Sequence, residues 1–335
     1  MLKALLMAQT SNLGDDIQAW PVWKFWGTVD AVLDRDTFDW WYPQTFRLDP
    51  GQRVAVVVNG WYTYNPTRWL PPSTLVPFFI SVHISPEIAD KFFRPEVVEY
   101  LSRFEIGARD LKTVELLKHA GLKAYFSGCL TLTVSNWLTR DCKPDKFRPL
   151  IIDLHENAFK YVPREIIRSA STLSQEISPI ATTLTRVRTL LARTPIFGIL
   201  KMLLSKNRAD KMLLALHRPF VPSSPLLRLT LAEMRLQAMA SASVILTSRL
   251  HVALPAASLG VPVVLVHPRL HEDPRFSGLS DLVISYDLNE FKDVGLALAY
   301  DQLSNPNAQL LEQMKRSLLS RLDVFRVQIS YPNGG

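Results

Sequence analysis

The chain has 335 residues, of which 47% are hydrophobic and 21% are charged, and this composition indicates a globular protein with sizeable buried cores. Its net charge of +7 suits an anionic partner such as a phosphorylated metabolite, an anionic membrane surface or a nucleic acid. The two cysteines, Cys129 and Cys142, are too few for a disulfide scaffold, and no cysteine–histidine spacing resembles a zinc site. We therefore expect ordinary thiols in a reducing compartment.

No stretch of the sequence approaches the roughly 20 apolar residues that a membrane-spanning helix needs. The opening run, MLKALLMAQTSN, is short and soon becomes polar, so it predicts a first β-strand rather than a signal peptide. The sequence thus favours a cytoplasmic protein, with peripheral membrane contact as an added option.

Short apolar runs alternate with helical segments along the first half of the chain. A helix is predicted at residues 110–120, where Leu111, Val114 and Leu117 form one apolar stripe. The apolar runs predict strands at residues 3–8, 54–59, 78–84, 104–108 and 124–127.

The same alternation continues in the second half, with strands predicted at residues 150–154, 244–247, 261–266 and 282–285. Strands that alternate with helices are typical of parallel sheets covered by helices. We therefore predict an α/β fold of two facing Rossmann-like domains with mostly parallel sheets and the ligand between them. The charged, proline-bearing segment at 139–148 places the boundary, giving domains at residues 1–145 and 146–325.

Residues 176–225 form an insertion that is rich in leucine, lysine and arginine and nearly free of acids. One interpretation is a basic amphipathic helix pair that packs on the second domain. The alternative is a segment that contacts a membrane surface or a partner. Nucleic acid ranks last as a partner, because no motif of stacking aromatic residues accompanies the basic ones.

Two turns in the first half carry polar or aromatic residues where strands end. In SNLGDDIQAW, Asn12 and Gly14 fit a tight strand-to-helix turn, and Asp15 can cap the helix. In the second turn, Asn59 could bind a sugar hydroxyl and Trp61 could pack on an apolar sugar face. Each turn is equally compatible with a purely structural role.

Further candidates follow other strands. His83 stands near the end of one strand, where it could bind a ligand or simply be buried. Arg109 stands where another strand becomes a helix, and arginine is suited to a bidentate grip on phosphate or carboxylate. Late in the chain, Arg275 and Ser277 lie on a loop that should pass over the same strand ends.

The segment at 244–266, VILTSRLHVALPAASLGVPVVLV, reads as a β-α-β unit with its polar cluster at the carboxyl end of the first strand. Ligands bind at such ends in open α/β sheets. Thr247 or Ser248 can cap the following helix, whose free backbone N–H groups favour an anion. Arg249 and His251 would then stand beside an anion site.

Together these segments resemble the polysaccharide pyruvyl transferase family. The resemblance is carried by NLGDDIQ near the N-terminus, VVNGWY at 57–62, residues 107–134, TSRLHVALPAASLGVPVV at 247–264 and RFSGLSDLV at 275–283. It implies a glycosyltransferase-B-like architecture. It also implies transfer of the enolpyruvyl group of phosphoenolpyruvate (PEP) to two hydroxyls of one sugar of a polysaccharide or its precursor, giving a cyclic pyruvate ketal without a cofactor or metal.

Roles for particular residues follow from the resemblance. It implies that His251 is the general acid and that Arg249, with the neighbouring Ser248 and Leu250, binds the donor. On this interpretation Arg109, Arg275 and Ser277 add donor contacts, and the acceptor side holds Asn12, Asp15, Asn59, Trp61 and His83. One segment departs from the family: where its members show a strand that ends in histidine, STLSQEI places Gln175.

Two other functions fit the same architecture. One is a glycosyltransferase that uses a nucleotide sugar, since related two-domain folds perform that reaction. The other is a non-catalytic member that binds glycans or a membrane through residues 176–225. The acceptor sugar and the oligomeric state are not encoded in any motif of the sequence.

Overall fold

The computed structural model describes residues 1–43, 45–140, 146–177 and 224–331. The first half of the chain forms a seven-stranded sheet in the order β3-β2-β1-β4-β5-β6-β7, in which only β3 runs antiparallel to its neighbour. Its elements are β1 (Leu2–Met7), α1 (Leu13–Trp26), β2 (Ala31–Asp34), β3 (Trp40–Tyr42), β4 (Val54–Tyr62), β5 (Leu75–Ile84), α2 (Ala89–Phe92), α3 (Pro95–Leu101), β6 (Ile106–Ala108), α4 (Leu111–His119) and β7 (Ala124–Phe126).

The second half forms a five-stranded, fully parallel sheet in the order β12-β11-β10-β8-β9. Its elements are β8 (Pro149–Ile152), α5 (Arg164–Ser169), β9 (Ser171–Leu173), α6 (Pro225–Ala240), β10 (Val244–Thr247), α7 (Leu250–Ser258), β11 (Val263–Val266), β12 (Ile284–Tyr286), α8 (Leu288–Val294) and α9 (Ala308–Ser330). The predicted α/β fold with two facing, mostly parallel sheets is confirmed.

The central strands are buried on both faces, which explains their continuous apolar sequences. In β4, all five residues from Val54 to Val58 have no exposed surface, and β10 and β11 are equally enclosed. Strands β2, β3 and β9 were not predicted. They have only three or four residues each, and pairing with a longer neighbour, rather than local sequence, makes them strands.

The two sheets share one continuous hydrophobic core. Helix α1 packs against α6, and a fully buried ion pair joins them: Arg228 Nε and Nη2 each lie 2.9 Å from an Asp16 carboxylate oxygen. The last helix, α9, returns to the first sheet, where Phe325 stacks on Phe78 at 4.9 Å. These contacts bring the carboxyl ends of both sheets to one cleft.

Some expectations fall outside the described residues. Of the proposed boundary at 139–148, residues 141–145 are not described, so the division at residues 145 and 146 stays a prediction. Nearly all of the basic insertion, residues 178–223, also lies outside, together with Cys142. Cys129 is a buried free thiol. Within the described residues, every helix is too short or too polar to cross a membrane.

Candidate functional site

A cleft of about 840 Å³ lies between the carboxyl ends of the two sheets. Its volume falls within the ~300–1,000 Å³ typical of small-molecule sites. Of the twelve site residues that the sequence predicted, ten line this cleft: Asn12, Asp15, Trp61, His83, Arg109, Ser248, Arg249, Leu250, His251 and Arg275. Two do not, Asn59 and Ser277, so the fold brings most of the predicted cluster together.

Arg109 and His251 meet at the floor of the cleft, although they come from opposite halves of the chain. Arg109 Nη1 lies 3.4 Å from His251 Nε2. A guanidinium can only donate, so Nε2 of His251 accepts and the ring proton of the neutral imidazole sits on Nδ1. Burial, together with the positive charge of Arg109, lowers the pKa of His251 to about 3. His251 is therefore neutral in the free protein at pH 7.

A buried carboxylate holds Arg109 in place. Asp110 begins α4, where it accepts hydrogen bonds from the backbone and hydroxyl of Thr113 at 2.9 Å, and its Oδ2 lies 3.7 Å from Arg109 Nε. The same oxygen is 2.6 Å from His83 Nδ1. Burial opposes ionisation of Asp110, but the hydrogen bond with His83 and the charge of Arg109 keep its pKa below the usual range. His83 thus reaches the cleft mainly as a support for Asp110.

The TSRLH turn has a different geometry from the one expected. Neither Thr247 nor Ser248 caps α7, because the N-cap residue is Arg249, and within the described residues no side chain bonds to the first amides of the helix. The hydroxyl of Thr247 accepts from Arg249 N at 3.0 Å, and Ser248 Oγ accepts from His155 N and donates to Val266 O. The start of α7 consequently presents uncapped backbone N–H groups beside Arg249, an arrangement that favours an anion.

The first turn of α1 also differs from the prediction. Asn12, not Asp15, caps the helix, since its Oδ1 accepts from Gly14 N at 3.0 Å. Asp15 instead pairs with the buried Arg35 at 3.0 Å and accepts from Thr10 Oγ1 at 2.7 Å. Burial opposes ionisation of Asp15, but these partners outweigh it and its pKa is lowered. Asp15 is a carboxylate at the edge of the cleft.

An aromatic pair forms one wall. The rings of Trp61 and Tyr64 lie 4.5 Å apart at 58°, and the Arg35 guanidinium lies 5.9 Å from the Trp61 ring. Such a surface suits the apolar face of a sugar ring. Asn59 takes no part, because it is buried and donates from Nδ2 to Gln18 O at 3.0 Å.

The late loop contributes one of its two predicted residues. Arg275 lines the cleft with half of its side chain exposed and pairs with Asp273 at 2.5 Å. Ser277 lies outside, where its Oγ accepts from Lys112 N at 3.2 Å and its carbonyl from Leu111 N at 3.2 Å. Its role is to anchor the start of α4 to the second half, so a donor contact from Ser277 has no support in the geometry.

Several cleft residues were missed by the sequence interpretation. Each of them follows a strand, which was the available signal, but polar residues at strand ends are common. Gln175 was noted only as a departure from the family pattern, and the structure places it at the cleft floor. The additional lining residues include Tyr64, Glu87, Asp153, His155, Gln175, His267, Arg269 and Asp273.

Among the described residues, one largely exposed group brings three potential metal ligands within 4.8 Å of one another: His271, Asp287 and Glu290. Asp287 and Glu290 form the capping box of α8, and Glu290 also pairs with His271 at 3.0 Å. These contacts account for the group, which does not line the cleft. That the reaction needs no metal or cofactor stays a prediction.

Comparison with known proteins identifies the family. The family model for polysaccharide pyruvyl transferase matches residues 12–267. The chain belongs to the polysaccharide pyruvyl transferase family. The match runs from the Asn12 turn to His267 and so spans both sides of the cleft, and membership of this family makes the chain a transferase.

Two solved structures show distant likenesses to this chain. A functionally uncharacterised protein from Klebsiella pneumoniae is 13% identical, with 85% of this chain and 92% of that chain covered and a TM-score of 0.42. An alpha,alpha-trehalose 6-phosphate synthase from Burkholderia multivorans is 9% identical, with 96% and 73% covered and a TM-score of 0.36. Neither likeness bears on the activity. No curated protein matches this chain.

Proposed function

We propose that this pyruvyl transferase moves the enolpyruvyl group of PEP onto two hydroxyls of one sugar of a polysaccharide or its precursor, forming a cyclic pyruvate ketal. The observation that carries the proposal is the 3.4 Å approach of Arg109 to His251 in the cleft between the sheets. This arrangement joins an anion-binding group to a group that can transfer a proton.

The donor side is the cationic part of the cleft. PEP carries a phosphate and a carboxylate, and Arg109, Arg249, Arg275 and the uncapped start of α7 supply donors for both. Arg249 and Arg275 each keep about half of the side chain exposed, so both can turn towards a ligand. Arg109 is buried and fixed, and so sets the position of the anion.

The reaction begins with proton transfer to C3 of PEP, which leaves an oxocarbenium-like centre at C2. A first sugar hydroxyl attacks C2, the bond between C2 and the phosphate oxygen breaks, and a second hydroxyl attacks C2 to close the ketal. Of the two hydroxyl protons, one returns to the acid that protonated C3 and the other leaves with phosphate as HPO₄²⁻. Histidine suits this cycle because it can donate and then recover a proton near neutral pH.

His251 needs the donor in order to become an acid. In the free protein its Nε2 accepts from Arg109, and its pKa is about 3. A phosphate or carboxylate is a better acceptor for Arg109 than a neutral imidazole nitrogen. Binding of the donor therefore releases Nε2 and offsets the positive charge that lowers the pKa of His251, so that the ring can take up a proton.

The acceptor side is the region of Asp15 and the aromatic pair of Trp61 and Tyr64. Asp15 is ionised at neutral pH, so it can accept hydrogen bonds from sugar hydroxyls and repels the anionic donor. Trp61 and Tyr64 offer an apolar surface for the sugar ring. Charge thereby distinguishes the two substrates within one cleft: the arginines favour the anionic donor, and Asp15 favours the neutral sugar.

The test combines binding and turnover. Thermal-shift and calorimetric titrations compare PEP with nucleoside diphosphates, and ³¹P NMR follows phosphate release from PEP in a mixture of methyl hexopyranosides. We expect PEP to bind and His251→Gln to abolish phosphate release, whereas His271→Gln, which alters an exposed histidine outside the cleft, leaves it unchanged. Undiminished release by His251→Gln, or stabilisation by nucleoside diphosphates but not by PEP, would overturn the proposal.

A further inference from the structure

Gln175 is held at the floor of the cleft by contacts to both halves of the chain. Its backbone N donates to Asp153 Oδ2 at 2.9 Å, and its carbonyl accepts from Leu13 N at 2.7 Å. Its side-chain Nε2 donates to the carbonyl of His251 at 3.4 Å. With 1% of its surface exposed, the side chain is fixed rather than free to turn.

These contacts define the orientation of the side-chain amide. The carbonyl oxygen of His251 can only accept, so the NH₂ group of Gln175 must face it and Oε1 must point the other way. Oε1 is buried and has no hydrogen-bond partner within the described residues, and Gln175 lines the cleft. A buried oxygen without a partner is unfavourable unless a ligand supplies a hydrogen-bond donor.

The two substrates differ in what they can offer this oxygen. Ionised PEP presents phosphate and carboxylate oxygens, which only accept, so it cannot satisfy Oε1. A sugar hydroxyl can donate. We propose that Gln175 Oε1 accepts a hydrogen bond from a hydroxyl of the acceptor sugar and helps to select that sugar. This inference rests on the proposed function, which names PEP as the other substrate.

The surroundings of Gln175 agree with a neutral ligand. The next residue, Glu176, pairs with Asn12 in an isolated antiparallel bridge, so Gln175 stands beside the turn that carries Asp15. The Asp15 carboxylate repels PEP but accepts from hydroxyls. Gln175 and Asp15 together form a small acceptor-binding wall next to His251, the proposed acid.

The experiment uses two binding measurements on the full chain. Saturation-transfer NMR with a mixture of methyl glucoside, galactoside and mannoside reports sugar contact, and calorimetry reports the affinity for PEP. Gln175→Met keeps the side-chain length but removes Oε1. Gln18→Met is the matched control, because Gln18 is also buried (2% exposed) with an unpaired amide in the described residues but does not line the cleft.

We expect Gln175→Met to weaken hexoside binding about tenfold, which corresponds to ~1.4 kcal/mol, with PEP affinity changed less than about twofold. Gln18→Met should leave both affinities as in the wild type. Unchanged hexoside binding in Gln175→Met, a parallel loss of PEP affinity, or no contact of any hexoside with the wild type would each overturn the inference. Hexoside binding that depends on Gln175 without any PEP binding would instead refute the proposed donor and leave Gln175 as a sugar contact.

Discussion

Replacing Arg109 by methionine is expected to raise the pKa of His251. That pKa is lowered to about 3, first by burial and next by Arg109, whereas Asp15 acts in the opposite direction. Methionine fills part of the buried volume of arginine but carries no charge. Removing the cation favours the protonated ring, so the pKa must move upwards.

The size of the change follows from the geometry. Two unit charges 3.4 Å apart interact by about 5 kcal/mol at an effective dielectric constant of ~20. Since 1.36 kcal/mol corresponds to a change of one in a pKa, the full interaction would raise the pKa of His251 by about 3.5. The guanidinium charge is spread over three nitrogens and the cleft is open to water, so we expect a rise of about 1–2 pH units.

The assay is a pH titration of ¹³C-labelled histidine by NMR, with His251→Gln to assign the signal. Between pH 8 and about 5 the wild-type signal should stay at its neutral position, whereas in Arg109→Met it should begin to titrate. Arg275→Met is the control, because Arg275 lowers the same pKa but by less than Arg109 does. An unchanged signal in Arg109→Met, or a larger effect in Arg275→Met, would refute the reasoning.

Three further predictions concern stability and the aromatic wall. Arg228→Met should lower the free energy of unfolding in urea at pH 7 by about 1–3 kcal/mol, because it leaves the buried Asp16 carboxyl unpaired and protonated, its pKa being raised by burial to about 7 even beside Arg228; adding Asp16→Leu should restore most of the loss, and a double variant no more stable than the single one contradicts this. The pKa of His251 is lower in the folded state than the 6.5 of a free histidine, so the unfolded chain binds this proton more strongly. The free energy of unfolding should therefore be unaffected by His251 above pH 6.5 and fall by about 2 kcal/mol on going down to pH 5. His251→Gln should lose less stability over this pH range, and equal losses in the variant and the wild type argue against the lowered pKa. Trp61→Ala should weaken hexoside binding several-fold in saturation-transfer NMR with PEP affinity kept, and the reverse pattern would move Trp61 to the donor side.

The order of the main elements could be read from the sequence because buried parallel strands are continuous apolar runs. All nine predicted strands exist, with ends shifted by a few residues; the run at 282–285, for instance, becomes the strand Ile284–Tyr286. The positions of Arg109 and His251 at strand ends were equally accessible. In a parallel sheet the carboxyl ends of all strands lie at the same edge, so the residues that follow the strands gather there. Local sequence alone therefore predicts which residues face a ligand.

Helix caps and loop contacts were less accessible. Asp15 and Ser248 are both residue types that commonly cap helices, yet Asn12 and Arg249 occupy the N-cap positions. Ser277 bonds to the start of α4, which is more than 160 residues away along the chain. Such outcomes depend on which neighbour competes for each polar group, and a local pattern does not record that competition.

By itself, the sequence determined the α/β class, the family and the residues at most strand ends, because these follow from short-range periodicity and motif spacing. Only the tertiary structure decided that Arg109 meets His251, that Arg35 holds Asp15, and that Gln175, with an unpaired buried oxygen in the described residues, lines the cleft. Each of these facts joins segments distant in the chain. Their distances and burial, which set the pKa of His251 and the hydrogen bonds left for a ligand, arise only when the two sheets pack together.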